Sequence, residues 1–566
     1  MSAYLLQLLG MGRALVDACD AALLALTGGG SRRFRRGLGL VFALSSATVA
    51  ATLAALLRRR YLLTAGVTTG APPRHRFDFV VVGGGSAGCV LASRLSEDPK
   101  VSVLLLEAGQ EETFEKSIAV PIAAIQLQKT PVDWAFQSEA HHATDGRVHV
   151  WPRGKVSLNW MLYVRGNPGD YDLWANEFGC TGWSYEEVLP YFRKSEHRVI
   201  EPWHTAATND EKHRGADGPL VVSDVQAPNT ITSTFIAAAQ SVGIPYNPDL
   251  NGGQQLGVGH AQLTIDNGRR CTTAYAFLKP EVRKRPNLTV LVGAHATRVL
   301  FDIDRTRAVG IMQDHLFVPV AFSALKPVTM DKAVVENIGN LVRYLLFKKG
   351  PYTSQALESM AFIRTENCHL PDPIPDLQIH CLCSGLTGME PEKVKAQFGL
   401  NIEDYETSQF GFSLLPTLLH PKSRGSVRLR SKDPFAPPRI HPNYLSEEDD
   451  VRLLMAGVRL VRQIVASSVF DGIRGREMYD KELLKRHPDP ESDGYVHGLK
   501  SLRVADLSVC PEIISGNTNA PAIMIGEKAS DIILHDTLIS TADGQQQPAT
   551  TTVVVAAARA RHIAHL

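Results

Sequence analysis

A glycine turn between a buried strand and a helix constrains this chain more than any other feature. The apolar run Phe79–Val82 predicts a buried parallel strand, and the periodic pattern Ser86–Leu95 predicts a helix directly after it. The glycines Gly83, Gly85 and Gly88 follow the spacing G-x-G-x-x-G. The first glycine permits the turn, the second lets the backbone approach a diphosphate, and the third lets the helix pack on the strand. The stretch therefore predicts a dinucleotide site at the positive end of the helix.

The next apolar run, VSVLLLEAG, predicts a second strand and ends near Glu107. This acidic residue falls about 20 residues after the turn, where a carboxylate hydrogen-bonds the ribose hydroxyls of a dinucleotide and repels a 2′-phosphate. Strand, turn, helix, strand and acid together favour an α/β fold with a Rossmann-like domain. A glycine-rich turn in some other α/β protein is the alternative interpretation.

Length and composition limit the remaining function classes. The 566 residues exceed one ordinary domain, and 44% hydrophobic with 21% charged residues is a common globular composition. A formal net charge of +1 gives no reason to expect nucleic acid. The eight cysteines lack paired CxxC spacing, so no structural zinc site is predicted, and His380, Cys381 and Cys383 are interpreted as core residues on a strand.

Residues 1–76 are interpreted as a membrane anchor or a targeting region. The run from Leu38 to Leu57 carries no charge, and at ~1.5 Å per residue it is long enough to cross ~30 Å of hydrocarbon. Arginines stand on both sides of it, so its orientation is left open. An Arg-rich, acid-poor leader is also typical of mitochondrial import, and the secretory pathway is a further alternative.

The rest of the chain divides into three parts by pattern. Residues 318–419 mix helical and strand patterns with many prolines and are expected to form a second domain over the first, and residues 420–539 follow it. A helix is predicted from Ser446, with Asp449 completing an approximate capping box. Its apolar stripe is interpreted as core: Val451, Leu454, Met455, Val458, Val461 and Val465. The biased tail 540–566 is expected to be disordered.

The segment LRVADLSVCPEIISGNTNAPAIMIGEKASDIIL, residues 502–534, together with the glycine turn, resembles the glucose-methanol-choline (GMC) oxidoreductase family. Further stretches carry the same resemblance, among them NWMLYVRGN, GWSYEEVLPYFRKSE and SRGSVRLRSKDPFAPPRIHPNYL. The likeness touches most of residues 77–534 and is greatest to the animal glucose dehydrogenase-like and choline dehydrogenase-like branches. A nicotinamide enzyme would explain the first motif and none of the others.

The resemblance implies an FAD-binding part over residues 77–317, a substrate domain of antiparallel sheet and helices, and hydride transfer from an alcohol, choline or a sugar to the flavin and on to a quinone-type acceptor. Asn517 would orient the substrate hydroxyl, although a helix-capping role is also open to Asn517 and Asn519. The cofactor residues implied by the family are Gly83, Gly85, Ser86, Gly88, Glu107, Asn159, Met161, Val299, Asp506 and Asn519.

The chain departs from the family pattern at three places. A Gly-Gly turn is missing after Val156, several dozen residues are missing after Ile311, and the segment around His487 lacks the VGTC that follows the family's catalytic histidine. His487 keeps a His-Pro pair and is the candidate base, with an exposed loop histidine as the alternative. These gaps lie inside recognisable blocks, which suggests skipped segments of a splice form or gene model. Two hypotheses follow: a membrane-attached alcohol dehydrogenase, or a catalytically defective chain with weak flavin binding.

Overall fold

The computed structural model describes residues 67–68, 77–112, 116–141, 146, 148–151, 154, 158–206, 210–296, 310–366, 368–384, 410–431, 433, 435–478, 510–542 and 552–555. The chain divides into two compact units, residues 1–65 and 66–566, and every described residue belongs to the second.

A five-stranded parallel sheet carries the glycine turn. Its strands are β1 (Val67–Thr68), β2 (Phe79–Val82), β3 (Val103–Glu107), β12 (Leu288–Val292) and β21 (Thr552–Val555), in the order β1-β12-β3-β2-β21. Every neighbouring pair is parallel. The strand and helix predicted on either side of the turn have the predicted bounds, so the Rossmann-like expectation is confirmed.

The second large sheet has six antiparallel strands, in the order β20-β14-β17-β16-β15-β8. Its strands are β8 (Gly257–His260), β14 (Val320–Ala324), β15 (Leu357–Ile363), β16 (Leu377–Leu382), β17 (Gly411–Leu418) and β20 (Arg474–Met478). All eight residues of β17 are buried, as are all six of β16. His380, Cys381 and Cys383 are buried as predicted.

Four small sheets connect these two. They are formed by β4 (Phe136–Gln137) with β5 (Val150–Trp151); β6 (Glu196–Val199), β7 (Leu220–Asp224) and β9 (Gln262–Leu263); β10 (Ile265–Asp266) with β11 (Arg269–Arg270); and β13 (Gly310–Met312), β18 (Gly425–Arg428) and β19 (Arg439–His441).

Ten α-helices lie within the described residues. They are α1 (Ser86–Leu95), α2 (Pro168–Asn176), α3 (Tyr185–Ser195), α4 (Thr230–Ser241), α5 (Thr273–Phe277), α6 (Pro280–Arg283), α7 (Lys332–Val335), α8 (Ile338–Phe347), α9 (Glu448–Ala466) and α10 (Asn519–Ala542). Short 3-10 helices occupy Lys116–Ala119, Pro121–Leu127, Pro351–Thr353 and Ser468–Phe470.

The predicted stripe of α9 is confirmed, but its predicted start is not. All six stripe residues are buried against the antiparallel sheet. The helix begins at Glu448 rather than at Ser446, and the predicted capping box is absent. The Ser423 hydroxyl, from a distant loop, accepts the backbone N–H groups of Ser446 and Glu447 at 3.1 and 3.2 Å. A tertiary contact thus replaces the local cap.

Helix α10 packs closely on α1 and joins the end of the chain to the glycine turn. A Cβ added at Gly526 would lie 2.8 Å from the Ala87 carbonyl oxygen, so only glycine permits this approach. Beside it Arg94 makes two hydrogen bonds of 2.8 Å to the buried carboxylate of Glu527. This paired charge fixes the register of the two helices.

Two stretches of the predicted tail 540–566 are among the described residues. Helix α10 extends to Ala542, and Thr552–Val555 pairs in parallel with β2 over four residues. The β-branched run TVVV has the propensity for such an edge strand. The predicted anchor at 38–57 lies outside the described residues. Among those the structure does describe, no helix has the length and apolarity needed to cross a membrane.

Candidate dinucleotide and substrate site

The glycine turn has the geometry expected for holding a diphosphate. Gly83 has a φ of 97°, and its N–H donates to the Leu106 carbonyl at 2.7 Å. Gly85 is the N-cap of α1, and no side chain caps the helix there. A Cβ at Gly85 would meet no atom within 4 Å, so the helix start faces open space. The uncapped N–H groups can therefore receive an anion.

Glu107 is fixed at the end of β3 by backbone donors. One carboxylate oxygen accepts the Gly84 N–H at 2.6 Å, and the other accepts the Gly109 N–H at 2.5 Å. These two bonds hold the carboxylate in place beside the glycine turn. A pocket beside it is lined by Cys89, Gln110 and Arg283 among others. Burial raises the pKa of the Cys89 thiol, which is therefore neutral.

Asn159 and Met161 form a strained turn in the position predicted for flavin contacts. The Asn159 side-chain oxygen accepts the Met161 N–H at 3.1 Å. Met161 has a φ of 59° and is fully buried. A left-handed residue with a long side chain costs of order 1–3 kcal/mol and is concentrated at functional sites. The turn holds these two residues in one conformation.

Arg270 lies next to this turn and was missed by the sequence reasoning. Its Nε donates to the Ile118 carbonyl at 2.9 Å and its Nη1 donates to the Asn159 carbonyl. Its Nη2 is buried and has no hydrogen-bond partner within the described part of the chain. Burial lowers the pKa of the guanidinium to about 10, so the group remains charged at neutral pH. Such a donor suits an anionic or carbonyl oxygen of a ligand.

Asn517 lies in the loop before α10, half-buried, with its side-chain oxygen unpaired by any residue the structure describes. Asn517 Oδ1 accepts no backbone N–H of a helix within the described residues, so the structure does not show the alternative capping role for Asn517. The preceding Gly516 has a φ of 147°, and a Cβ there would lie 2.3 Å from Val164 Cγ1. The loop thus packs on the segment that follows Asn159 and Met161.

Asn519 connects the loop to the glycine turn. Its side-chain oxygen accepts the Ser86 hydroxyl at 2.6 Å, across 433 positions of sequence. The structure therefore joins two of the predicted cofactor residues at the start of α1 and the start of α10. Val299, Asp506 and His487 lie outside the described residues.

The residues present fit a bound FAD. Open space at Gly85 suits the diphosphate, and the unpaired atoms Arg270 Nη2 and Asn517 Oδ1 offer a donor and an acceptor for a polar ligand. A glycine turn on a parallel sheet, in a chain that also forms an antiparallel sheet, defines a dinucleotide-binding protein of two sheet systems.

Comparisons with known proteins identify the family to which this dinucleotide-binding fold belongs. The family model described as GMC oxidoreductase matches residues 77–328 with its N-terminal part and residues 421–493 and 489–526 with its C-terminal part. The chain belongs to the GMC oxidoreductase family, whose members are FAD-dependent enzymes acting on CH–OH donors. The expected family, enzyme class and cofactor are confirmed.

Individual relatives agree with this assignment. Mitochondrial choline dehydrogenase of Mus musculus is 34% identical over 564 aligned positions, which cover 81% of this chain and 90% of the relative. Alcohol dehydrogenase [acceptor] of Pseudomonas putida is 31% identical and covers 82% of this chain and 97% of its own. Pyridoxine 4-oxidase from Mesorbium loti superposes with a TM-score of 0.66 at 26% identity, covering 81% of this chain and 99% of that one.

Proposed function

We propose that the chain oxidises the hydroxyl-bearing carbon of an alcohol, choline or a sugar and passes the electrons to a quinone-type acceptor. The hydrogen bond from Ser86 to Asn519 carries this proposal, because it brings the glycine turn and the Asn517 loop into one site. The names of the relatives, choline dehydrogenase and alcohol dehydrogenase [acceptor], support the substrate class and an acceptor other than a nicotinamide.

The residues that contact FAD divide into two roles in this proposal. The adenosine and diphosphate of FAD are held by the residues of the glycine turn and by three residues from elsewhere. They are Gly83, Gly85, Ser86 and Gly88, together with Glu107, Asp506 and the Val299 backbone. Asn159, Met161 and Asn519 contact the flavin, and Arg270 is added to them by its unpaired donor.

FAD, when bound, supplies the acceptor for hydride. The chain's own residues orient the donor: the Asn517 side-chain amide donates an N–H to the substrate oxygen, and a base accepts and removes the hydroxyl proton. His487 is the candidate base. The positive charge of Arg270 stabilises negative charge that develops beside Asn159.

The domain assignment and the membrane attachment belong to the same proposal. Residues 77–317 and 420–539 form the cofactor part, residues 318–419 provide the substrate part, and 38–57 anchors the chain. Strands β2, β3 and β12 of the parallel sheet fall in the first part, and β15, β16 and β17 fall largely in the second. The mitochondrial location named for the choline dehydrogenases supports import into that organelle as one alternative, and the secretory pathway is the other.

A defective isoform is the second candidate. The alignment to the mouse choline dehydrogenase extends over 564 positions yet covers only 81% of the 566 residues, so it includes positions that this chain lacks. This agrees with the missing stretches after Val156 and Ile311. Loss of a general base costs about 10²–10⁴ in rate, and misplaced reactants cost as much again.

Flavin content and quinone reduction separate the two candidates. The full chain is purified in detergent, its flavin is counted by absorbance, and reduction of a soluble quinone is measured with choline, glucose and a simple alcohol. Stoichiometric flavin and a turnover lost in Asn517→Ala, but kept in the surface variant Asn176→Ala, support the active enzyme. A colourless chain that gains flavin and turnover once the three missing stretches are restored supports the defective isoform.

A further inference from the structure

Helix α8 presents its apolar side to the outside. The residues Ile338, Leu341, Val342, Leu345 and Leu346 repeat at i, i+3, i+4, i+7 and i+8, which puts them on one face of the helix; we call this the α8 face. Four of the five are exposed, from 45% for Val342 to 69% for Leu346. In a globular helix this stripe faces the core, so its exposure indicates a binding surface.

The opposite side of α8 holds the helix in place. Tyr344 is its buried residue, stacks on Tyr352 with ring centroids 5.7 Å apart, and directs its hydroxyl to the Ala119 carbonyl at 3.5 Å. The Asn337 side chain caps the start of the helix by accepting the Asn340 N–H. The α8 face is therefore displayed by an anchored helix.

Basic residues outnumber acidic residues around the α8 face. Residues 336–349 contain Arg343, Lys348 and Lys349 and one acidic residue, Glu336. An exposed apolar face with Leu and Phe, bordered by basic side chains, is typical of a helix that lies in the surface of an anionic membrane. We propose that the α8 face inserts into the headgroup region of a bilayer containing anionic lipid.

Charge decides against the two other occupants. A second copy related by symmetry would bring its own Arg343, Lys348 and Lys349 to the same border, with one carboxylate, Glu336, to oppose three positive charges. The predicted anchor 38–57 is bordered by Arg32, Arg33, Arg35, Arg36 and Arg58 to Arg60, so it too would oppose like charges. Anionic headgroups are complementary to all of these groups.

The position of the α8 face also bears on the proposed function. The Ala119 carbonyl accepts a hydrogen bond from the Tyr344 hydroxyl. The carbonyl of the adjacent residue Ile118 accepts from Arg270, and Arg270 also donates to the Asn159 carbonyl. One short path therefore connects the α8 face with the proposed flavin contacts. If the quinone proposal holds, a lipid-soluble acceptor would approach from this side.

Photochemical crosslinking of the full chain on vesicles tests the membrane surface. The photoreactive residue p-benzoylphenylalanine is placed at position 346 and, as a matched control, at position 429, because Leu346 and Leu429 are 69% and 67% exposed. The vesicles contain phosphatidylcholine with or without alkyne-tagged phosphatidylglycerol. A lipid adduct several-fold stronger at 346 than at 429, and reduced when salt screens the basic border, supports the proposal.

Equal adducts at both positions, or none at 346, would overturn it. An adduct of doubled chain mass would show a second copy instead, and a crosslink to peptides from 38–57 would show the chain's own segment. The replacement Val342→Glu should reduce the adduct at 346 while flavin content stays unchanged. Adduct formation requires neither flavin nor turnover. The membrane proposal can therefore fail while the proposed alcohol oxidation stands, and the alcohol oxidation can fail while the membrane proposal stands.

Discussion

Asp170 and Ser515 are joined by two hydrogen bonds across 345 positions of sequence. One Asp170 oxygen accepts the Ser515 N–H at 2.7 Å and the other accepts its hydroxyl at 2.8 Å. His420 lies 2.8 Å from the same hydroxyl and 3.4 Å from the carboxylate. Ser515 stands two residues before Asn517, so a buried carboxylate on α2 positions the loop that carries the proposed substrate contact.

The first prediction is that Asp170→Asn lowers the rate of flavin reduction more than it weakens substrate binding. The amide cannot accept both Ser515 donors as an ionised carboxylate does, and a hydrogen bond to a charged group contributes about 1.5–3 kcal/mol. We expect a fall of about 10- to 100-fold in kcat with a smaller change in KM, measured by stopped-flow reduction. The control is Asp172→Asn, an exposed residue of the same helix. A uniform loss of folded protein without this split would contradict a positioning role.

The second prediction is that Arg270→Met separates apoprotein stability from FAD binding. The guanidinium is fully buried and its Nη2 is unpaired within the described residues, which is costly without a ligand. Methionine of similar length removes that cost but leaves the Ile118 and Asn159 carbonyls without their donor, so the thermal midpoint of the apoprotein should change little. FAD affinity should fall about 10-fold or more, since the donor is lost.

Flavin fluorescence titration and apoprotein melting measure the two effects on the same sample. Arg269→Met is the matched control, because Arg269 is the neighbouring residue of β11 and lies over the Tyr275 ring at 5.0 Å. If Arg270→Met unfolds the apoprotein and leaves the FAD affinity of the remaining folded fraction unchanged, Arg270 is a structural residue.

Local sequence patterns predicted the strand and helix on either side of the glycine turn. The candidate site, in contrast, is formed by contacts between residues that are distant in sequence. The bounds of β2 and α1 followed from an apolar run, a glycine turn and a helical period, which are all local signals. Asp170 and Arg270 could not be found this way, because their partners lie far away in sequence or are backbone carbonyls, which any residue supplies. The sequence around Arg269–Arg270 of β11 is polar and gives no local signal of a buried guanidinium.

The α8 face shows that the spacing of apolar residues does not by itself predict burial. The apolar residues of α8 have the same spacing as those of α9, but the stripe of α9 is buried. Period alone cannot say which side of an amphipathic helix meets the protein. Tyr344 decides it here, because it is the buried residue of α8 and its ring stacks on Tyr352.

The third prediction is that Gly526→Ala destabilises the fold although alanine favours helix. The propensity gain is at most ~1 kcal/mol, whereas the new methyl would lie 2.8 Å from the Ala87 carbonyl and 3.0 Å from Val90 Cβ. Overpacking of this kind costs about 1–3 kcal/mol, so the clash outweighs the gain. Moving α10 off α1 should also lengthen the bond from Ser86 to Asn519 and weaken FAD binding.

Thermal melting and FAD titration check this prediction together. The control Asp531→Ala lies on the same helix at the surface, where its ion pair with Lys194 contributes at most about 1 kcal/mol. An unchanged melting midpoint for Gly526→Ala would show that α10 can shift without cost.

The fourth prediction concerns acid stability and buried histidines. Burial lowers the pKa of His380 to about 3 and the pKa values of His315 and His260 to about 4. An unfolded histidine has a pKa of about 6.5. As the pH falls through 6.5 toward 4, the unfolded chain binds protons that the folded chain refuses, so the free energy of unfolding decreases. The full stability is present above pH 6.5, and each unit of pKa difference corresponds to about 1.4 kcal/mol.

His380→Leu should flatten this pH dependence. His380 Nδ1 is buried and unpaired within the described residues, so leucine removes both a titrating group and an unsatisfied polar atom from β16. Denaturant unfolding at pH 7.5, 6.0 and 5.0 should show a smaller loss of stability on acidification than in the unmodified chain, by about 1–2 kcal/mol over this range. His197→Leu, at an exposed position of β6, should leave the slope unchanged. If both variants lose stability in parallel with the unmodified chain, the acid sensitivity comes from the carboxylates instead.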